Sequence, residues 1–275
     1  MYGRAYVEIT NSCNLNCSFC HGHKRRKRFM SIGEFSRILD QLEGKTKYIY
    51  YHLMGEPLLH PALPDFLKLA KEKGFSSVIT TNGTILPEAG ERILAAGIHK
   101  MNISLHSFEE GERAELERYI ENIALFAEKA RSAGVIVSLR LWNRGADSDC
   151  NDDIEELLQW YFPQQWTENS RGYRIDDKLF LEYGDRFAWP DRDAPAQEGK
   201  VFCYGLRDQF GILVDGTVVP CCLDSEGVIA LGNVFTQELS DILSAERAKS
   251  IAEGFRCGKA EEDLCRRCGY AQRFQ

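Results

Sequence analysis

The chain lacks any apolar stretch approaching the length of a membrane span, and its N-terminus carries no apolar signal segment. Neither insertion nor secretion is expected, and the sequence places the protein in the cytoplasm without a membrane partner. It also lacks a basic excess: 34 Lys and Arg stand against 41 Asp and Glu, a formal net charge of −7. A surface of that sign argues against nucleic acid as a partner. A dispersed cysteine framework is missing too. Ten cysteines are present, but nine of them fall in two groups toward opposite ends of the chain, which metal ligation explains better than disulfides. Cys150 stands alone and reads as a small, partly buried side chain.

What is present is ordinary in bulk: 275 residues, 44% hydrophobic and 27% charged, enough for a full core and for two unequal units. The organising stretch is Asn11 to Cys20, which follows the apolar run Ala5 to Thr10 and sets Cys13, Cys17 and Cys20 at C-x3-C-x2-C spacing. Three thiolates so placed can converge on one inorganic centre, and their softness favours iron–sulfur or zinc. The loop has no fourth cysteine, so one metal position stays open to a small molecule unless His21 or His23 closes a zinc tetrahedron.

Downstream, strands and helices alternate. Ser31 and Glu34 form a capping-box pattern ahead of Ile32, Phe35, Ile38, Leu39 and Leu42, with Gly44 as the stop. Lys47 to Leu53 reads as a strand that delivers the turn Met54-Gly55-Glu56-Pro57. A helix from Leu63 to Lys73, a strand from Ser76 to Thr81 and a helix from Pro87 to Gly97 follow. The strand Lys100 to Leu105, a helix from Phe108 to Ala133 and the strand Val135 to Leu141 continue the pattern. Five such alternations predict an α/β fold, a partial (β/α)6 TIM-like barrel with active residues at the strand C-termini. The cysteine loop, Gly55 and Glu56, Asn82, Ser104 and His106, and Arg140 all fall at those ends.

The basic run His21 to Arg28 reads as a solvated loop or as a docking site for an acidic partner or an anionic substrate. Residues 144–200 form a poorly readable connection, with a sixth helix from Asp149 to Phe162, aromatics from Tyr183 to Trp189 that suit packing better than a substrate box, and a polar, mobile linker from Asp191 to Gly199. The expected division is 1–200 and 201–275. In the second part Phe210 to Pro220 reads as a hairpin turning at Asp215-Gly216, and Ser240 to Ala252 as a helix. Cys203, Cys221, Cys222, Cys257, Cys265 and Cys268 crowd this part as a second metal site, a thiolate set that by itself suits zinc as well as iron–sulfur.

The cysteine triplet with Phe19 before its last member resembles the radical S-adenosylmethionine superfamily, and Met54-Gly55-Glu56-Pro57 is similar to its G-G-E-P motif with Met in place of the first glycine. The resemblance implies a [4Fe–4S] cluster on Cys13, Cys17 and Cys20 whose open iron takes S-adenosylmethionine. It places Phe19 near the adenine, Gly55 and Glu56 on the amino group, Asn82 and Ser104 at the strand ends around the cosubstrate, and Arg140 on its carboxylate. The C-terminal hairpin and cysteine pair resemble the SPASM/twitch extension, which implies an auxiliary [4Fe–4S] cluster on Cys203, Cys221, Cys265 and Cys268. Cys222 and Cys257 are then spare ligands or hydrogen donors, and His106 a candidate acid/base. The implied reaction is hydrogen abstraction by a 5′-deoxyadenosyl radical from a peptide or small-molecule substrate, with a flavodoxin- or ferredoxin-type reductant. No room is seen before the first strand for a leader-binding domain. Oxidative modification is expected; the rivals are a redox-neutral peptide epimerase using a Cys hydrogen donor and a non-catalytic iron–sulfur or zinc-binding interaction protein.

Overall fold

The computed structural model describes residues 1–145 and 150–274. In chain order it contains β1 (Arg4–Val7), α1 (Ile32–Leu42), β2 (Tyr48–Tyr50), α2 (Leu63–Glu72), β3 (Ser76–Thr81), α3 (Leu86–Ala96), β4 (Lys100–Ser104), α4 (Arg113–Ser132), β5 (Ile136–Arg144) and α5 (Asn151–Tyr161). Then come β6 (Thr167–Asn169), β7 (Gly172–Asp176), β8 (Leu179–Asp185), β9 (Gln209–Ile212), β10 (Thr217–Val219), β11 (Gly232–Asn233), α6 (Leu239–Ser244), α7 (Glu246–Arg256) and α8 (Asp263–Arg266). The five strand–helix alternations stand as the sequence predicts. Asp149, the expected start of the sixth helix, lies outside the described residues.

Two compact units are formed: Met1–Gly55 with Glu72–Ser76 and Phe187–Gln275, and Glu56–Lys71 with Ser77–Arg186. In the first, β1 pairs parallel with β2 on one side and with β9 on the other. The hairpin β9–β10 turns at Gly216, which takes φ +88°, and β11 pairs antiparallel with β10. Helix α1 begins with the expected box: Glu34 N donates to Ser31 Oγ at 3.2 Å and Ser31 N to Glu34 Oε2 at 2.8 Å.

In the second unit β3, β4, β5 and β8 run parallel. The strand β8 is reached through an antiparallel meander, β6–β7–β8, which the sequence reading missed. Its first two strands are short, three and five residues, and β6 is wholly exposed, so no apolar periodicity marks the start of the meander. Tyr183, Gly184 and Asp185, read as part of an aromatic loop, belong to β8. On β4, β5 and β8 the residues Met101, Ile103, Val137, Leu139, Leu179 and Leu181 are all fully buried. The residues between them are largely polar.

Three expectations change. The helix predicted from Ser240 to Ala252 is two, because Ala245 is extended (φ −60°, ψ 153°) and both ends α6 and begins α7. Ile242 and Ile251 would sit on opposite sides of one straight helix, and the break lets both be buried. The polar segment 191–199 is not a free linker: Gln197 N donates to Arg266 O at 2.8 Å, Gln197 Nε2 donates to Cys268 O and Arg267 Nη1 to Ala194 O. Nor is the basic run simply solvated. Arg25 turns inward, its Nη1 and Nη2 donating to Glu8 Oε2 and Oε1 at 2.7 and 2.6 Å.

Glu8 is fully buried, and its carboxylate also accepts from Met54 N at 3.2 Å and Val214 N at 3.0 Å. Removing one partner of such a pair strands a buried charge. Arg25→Met is therefore expected to destabilise the cofactor-free protein by about 3–5 kcal/mol in a denaturant titration. The double variant Arg25→Met/Glu8→Leu should recover part of that loss; equal stability of wild type and Arg25→Met contradicts the role given to the pair.

Candidate functional site

The cysteine loop is tied down at both ends by side chains of its own flanks. Thr10 Oγ1 donates to Arg28 O at 3.0 Å, Asn11 Nδ2 donates to Arg26 O at 3.0 Å, and Arg28 N donates to Asn11 Oδ1 at 2.9 Å. His23 Nε2 donates to Asn11 O at 2.7 Å, which fixes its tautomer and gives that nitrogen a backbone partner rather than a metal. Between these ties Cys13 and Cys20 are exposed and Cys17 is half-buried, all three free of disulfides, and Leu15 N–H points at Cys13 Sγ from 3.4 Å. Trp189 Nε1 donates to Phe19 O at 2.9 Å while the Trp189 ring stacks on His21, so this aromatic packs on the loop as expected.

Gly55 is required where it stands. Its φ is +80°, and a Cβ would lie 2.5 Å from Thr10 O and 2.9 Å from Asn11 backbone atoms. No other residue allows the Met54-Gly55 turn to approach the start of the cysteine loop so closely.

In the second unit Glu56 is buried with its carboxylate engaged three times: Oε1 accepts from Leu58 N at 3.0 Å and Thr81 Oγ1 at 2.8 Å, and Oε2 from Asn82 N at 2.8 Å. Burial pushes its pKa up to about 7 against the pull of those three donors. Asn82 uses Oδ1 locally, accepting from Thr84 N at 3.0 Å and Thr84 Oγ1 at 2.7 Å, which shapes the turn after β3. Ser104 ends β4, and its carbonyl accepts from Ser107 Oγ at 2.6 Å. His106 is buried, its Nδ1 3.0 Å from Arg140 O at the end of β5, and burial lowers its pKa, which favours the neutral ring. Arg140 Nε lies 3.5 Å from Glu182 Oε2, and its guanidinium covers the Trp142 ring. Glu56, Thr81 and Asn82 are thus brought together, as are His106, Arg140 and Glu182.

The second cysteine group gathers in the first unit. Cys203, Cys221, Cys265 and Cys268 are free thiols, and burial together with their mutual proximity pushes Cys221 well above the ordinary thiol range. Burial, with Cys203 nearby, lifts Cys268 to about 11. Gly205 N–H points at Cys203 Sγ from 3.4 Å. Cys222 lies beside Tyr6 and packs by Leu53, Leu213 and Val219. Cys257 is exposed beside Glu253 at the end of α7. Among the described residues no three ligating side chains lie close enough to hold a single metal ion. A four-iron cluster spreads its thiolates over the corners of a cube, and free cysteines with backbone amides aimed at sulfur suit that group.

The sequence reading missed Glu8 with Arg25, and the charges Lys100 and Glu182. The available signal was positional: an acid inside an apolar strand run, and a polar residue at every second place of β4.

A thiol triplet and a second set of four thiols on an α/β scaffold narrow the class to iron–sulfur or thiolate–zinc proteins. The family model of the Radical SAM superfamily matches residues 7–160, and that of the SPASM iron–sulfur cluster-binding domain residues 203–269. The chain belongs to the radical SAM superfamily, whose cofactors are a [4Fe–4S] cluster and S-adenosylmethionine, with auxiliary iron–sulfur binding in the SPASM region. It is 31% identical over 203 residues to the AdoMet-dependent heme synthase of Methanosarcina barkeri, covering 58% of this chain and 57% of that protein. The chain spans 24% and 35% of two further relatives, a cofactor-modifying protein and a GTP 3′,8-cyclase. Among solved structures, BtrN in complex with AdoMet and 2-DOIA aligns with a TM-score of 0.62 at 19% identity, covering 98% of this chain and 93% of that one. The structure of anSMEcpe with AdoMet and the Kp18Cys peptide aligns with a TM-score of 0.63 at 13% identity, covering 96% and 88%. These likenesses show the fold, an α/β partial TIM barrel that does not close. Among the described residues no helix is long and apolar enough to cross a membrane.

The Glu56 carboxyl gives a pH test. It holds its proton to about pH 7 when folded and to 4.5 when unfolded, so between those values the native state binds more protons and loses stability as pH rises. Glu56→Gln lacks this slope. The stability of wild type minus that of the variant should fall by up to about 3 kcal/mol from pH 4.5 to 8, measured by denaturation of cofactor-free protein. A difference independent of pH removes Glu56 as the titrating group.

Proposed function

We infer that this protein reductively cleaves S-adenosylmethionine and abstracts hydrogen from a peptide or small-molecule substrate, and that the outcome is oxidative. The observation that carries the oxidative reading is the gathering of four thiols, half-buried Cys203, Cys221 and Cys265 and buried Cys268. If all four bind one auxiliary cluster, no iron is left for substrate, and accepting an electron from the substrate radical is its natural role. When bound, the first cluster supplies the electron that generates a 5′-deoxyadenosyl radical from the cosubstrate.

The chain's own residues then bind and orient. Cys13, Cys17 and Cys20 are proposed to hold the first cluster, and the backbone at Gly55 with the carboxylate of Glu56 to receive the cosubstrate's amino group. Three of about four acceptor sites on Glu56 are used, which leaves one for an ammonium. An ammonium there would hold the carboxyl ionised. Phe19, Asn82, Ser104 and Arg140 are assigned to the remaining parts of the cosubstrate, Arg140 to its carboxylate. The exposed cations Lys24, Arg26 and Lys27 beside the cysteine loop suit an acidic flavodoxin- or ferredoxin-type reductant. The redox-neutral reading, in which a cysteine returns hydrogen to the substrate radical, is favoured by one feature, the free thiol of Cys222 packed beside Tyr6.

Anaerobic reconstitution should load about eight irons, and Cys13→Ala with Cys17→Ala and Cys20→Ala should leave about four. Reduced with dithionite and given S-adenosylmethionine, the wild type should form 5′-deoxyadenosine; none from an intact reduced cluster sinks the enzymatic reading. Cys265→Ala/Cys268→Ala should keep some 5′-deoxyadenosine formation and lose the oxidised product. Undiminished oxidised product from that variant, folded by circular dichroism, would overturn the electron-acceptor role and turn attention to Cys222.

A further inference from the structure

The strands β4, β5 and β8 carry different chemistry on their two sides. Opposite the fully apolar side lie Lys100, Asn102 and Ser104 on β4, Ser138 and Arg140 on β5, and Glu182 on β8, interrupted by Ile136 and Phe180 and matched by the pairs Lys100↔Ile136, Asn102↔Ser138, Ser138↔Phe180, Ser104↔Arg140 and Arg140↔Glu182. Parallel strands covered on both faces read apolar on both, and a barrel interior filled for packing is dominated by Val, Ile and Leu. Packing alone does not call for this polar side.

Its charges are arranged in depth. Lys100 starts four residues before Ser104, about 13 Å lower along the strand. Yet Lys100 Nζ is 3.9 Å from Glu182 Oε1, so the two side chains lean toward each other across the level of Asn102 and Ser138. The other Glu182 oxygen is 3.5 Å from Arg140 Nε, so two cations share one carboxylate. The Arg140 guanidinium is steadied against Trp142, 4.4 Å from the ring centroid.

At the bridged level Asn102 Oδ1 and Ser138 Oγ are buried without a hydrogen-bond partner, and both residues are 0% exposed. Asn102 Nδ2 donates to Thr80 Oγ1 at 3.2 Å, which leaves Oδ1 as the unsatisfied end. A buried acceptor left unpaired costs stability and asks for a donor from elsewhere.

We propose that this polar side is a substrate subsite for an oxyanion. Lys100 takes a carboxylate or phosphate as Glu182 is displaced from it, Arg140 staying with the cosubstrate, and hydroxyl or amine groups of the same molecule donate to Asn102 Oδ1 and Ser138 Oγ. The substrate class is thereby a small, anionic, hydroxyl- or amine-bearing molecule. The proposal rests on the radical-enzyme reading for the reaction itself. The cosubstrate's carboxylate offers the same oxyanion chemistry, but the orphaned acceptors lie one pair below Ser104, deeper than the strand-end residues assigned to the cosubstrate.

The test is calorimetric titration of the reconstituted holoenzyme with inorganic phosphate, with and without saturating S-adenosylmethionine. Wild type should bind phosphate in the presence of cosubstrate. Lys100→Met should weaken phosphate at least tenfold and leave cosubstrate affinity within about twofold. Glu182→Gln should tighten phosphate several-fold, because it frees Lys100, whereas loss of a merely structural ion pair would not. Iron content and circular dichroism check that both variants fold. Competition between phosphate and cosubstrate, with Lys100→Met weakening the latter, would assign the cluster to the cosubstrate's carboxylate and overturn the proposal. Absence of phosphate binding to wild type, or no change in either folded variant, would reduce the cluster to a structural ion pair. The 5′-deoxyadenosine assay is run alongside. Its failure with phosphate binding intact removes the radical reading and not the oxyanion site.

Discussion

The buried carboxylate of Glu8 is the constraint on which the first unit depends. It accepts from Arg25, Met54 N and Val214 N, so one residue directly after the first strand fixes the return of the cysteine loop, the turn before Glu56 and the C-terminal hairpin. A carboxylate with no exposed surface needs all of these donors. The consequence for the site is positional. Residues 9–24 enter and leave from points anchored to the same group, and Gly55 rests on Thr10 and Asn11 because the turn carrying it is held from Met54. The loop's thiols face outward from a base with little freedom.

The second thiol set is held by a different logic. Cys203, Cys221, Cys265 and Cys268 are gathered where burial favours neutral thiols, so without metal each resists ionisation. An iron–sulfur cluster requires the thiolates. If these four cysteines hold the proposed cluster, binding releases protons, and the free energy of assembly is coupled to folding of the C-terminal segment. The hydrogen bonds from residues 194–197 to Arg267 and the backbone around Cys268 hold that segment before any cluster chemistry begins.

Much of this was legible in the sequence because it was written in local patterns. The Ser31/Glu34 box, the strand–helix alternation to α5, the Asp215-Gly216 turn and both cysteine groups depend on residues a few positions apart. What stayed hidden depends on distant partners. Arg25 sits in a run of five consecutive basic residues, and nothing local distinguishes the one that finds Glu8 from those that stay in water. The meander β6–β7–β8 has an exposed edge and no strong alternation. The break at Ala245 follows from where Ile242 and Ile251 must be buried, which is a fact of tertiary packing.

The division of chemistry between the units bears on how Glu56 works. Every proposed iron ligand belongs to the first unit, and Glu56, Asn82, Ser104 and Arg140 to the second. The chain crosses at the bond between Gly55 and Glu56. On one side of that bond the glycine is wedged against Thr10 and Asn11; on the other the carboxylate is gripped by Leu58, Thr81 and Asn82. Such a carboxylate has two states of similar free energy near pH 7, protonated by burial or ionised by its donors. A cationic amine arriving beside it would tip that balance to the ionised form, and the free energy of the tip belongs to binding. Glu56 is thus better described as a group kept close to its titration point by the fold than as a fixed anion waiting for a partner.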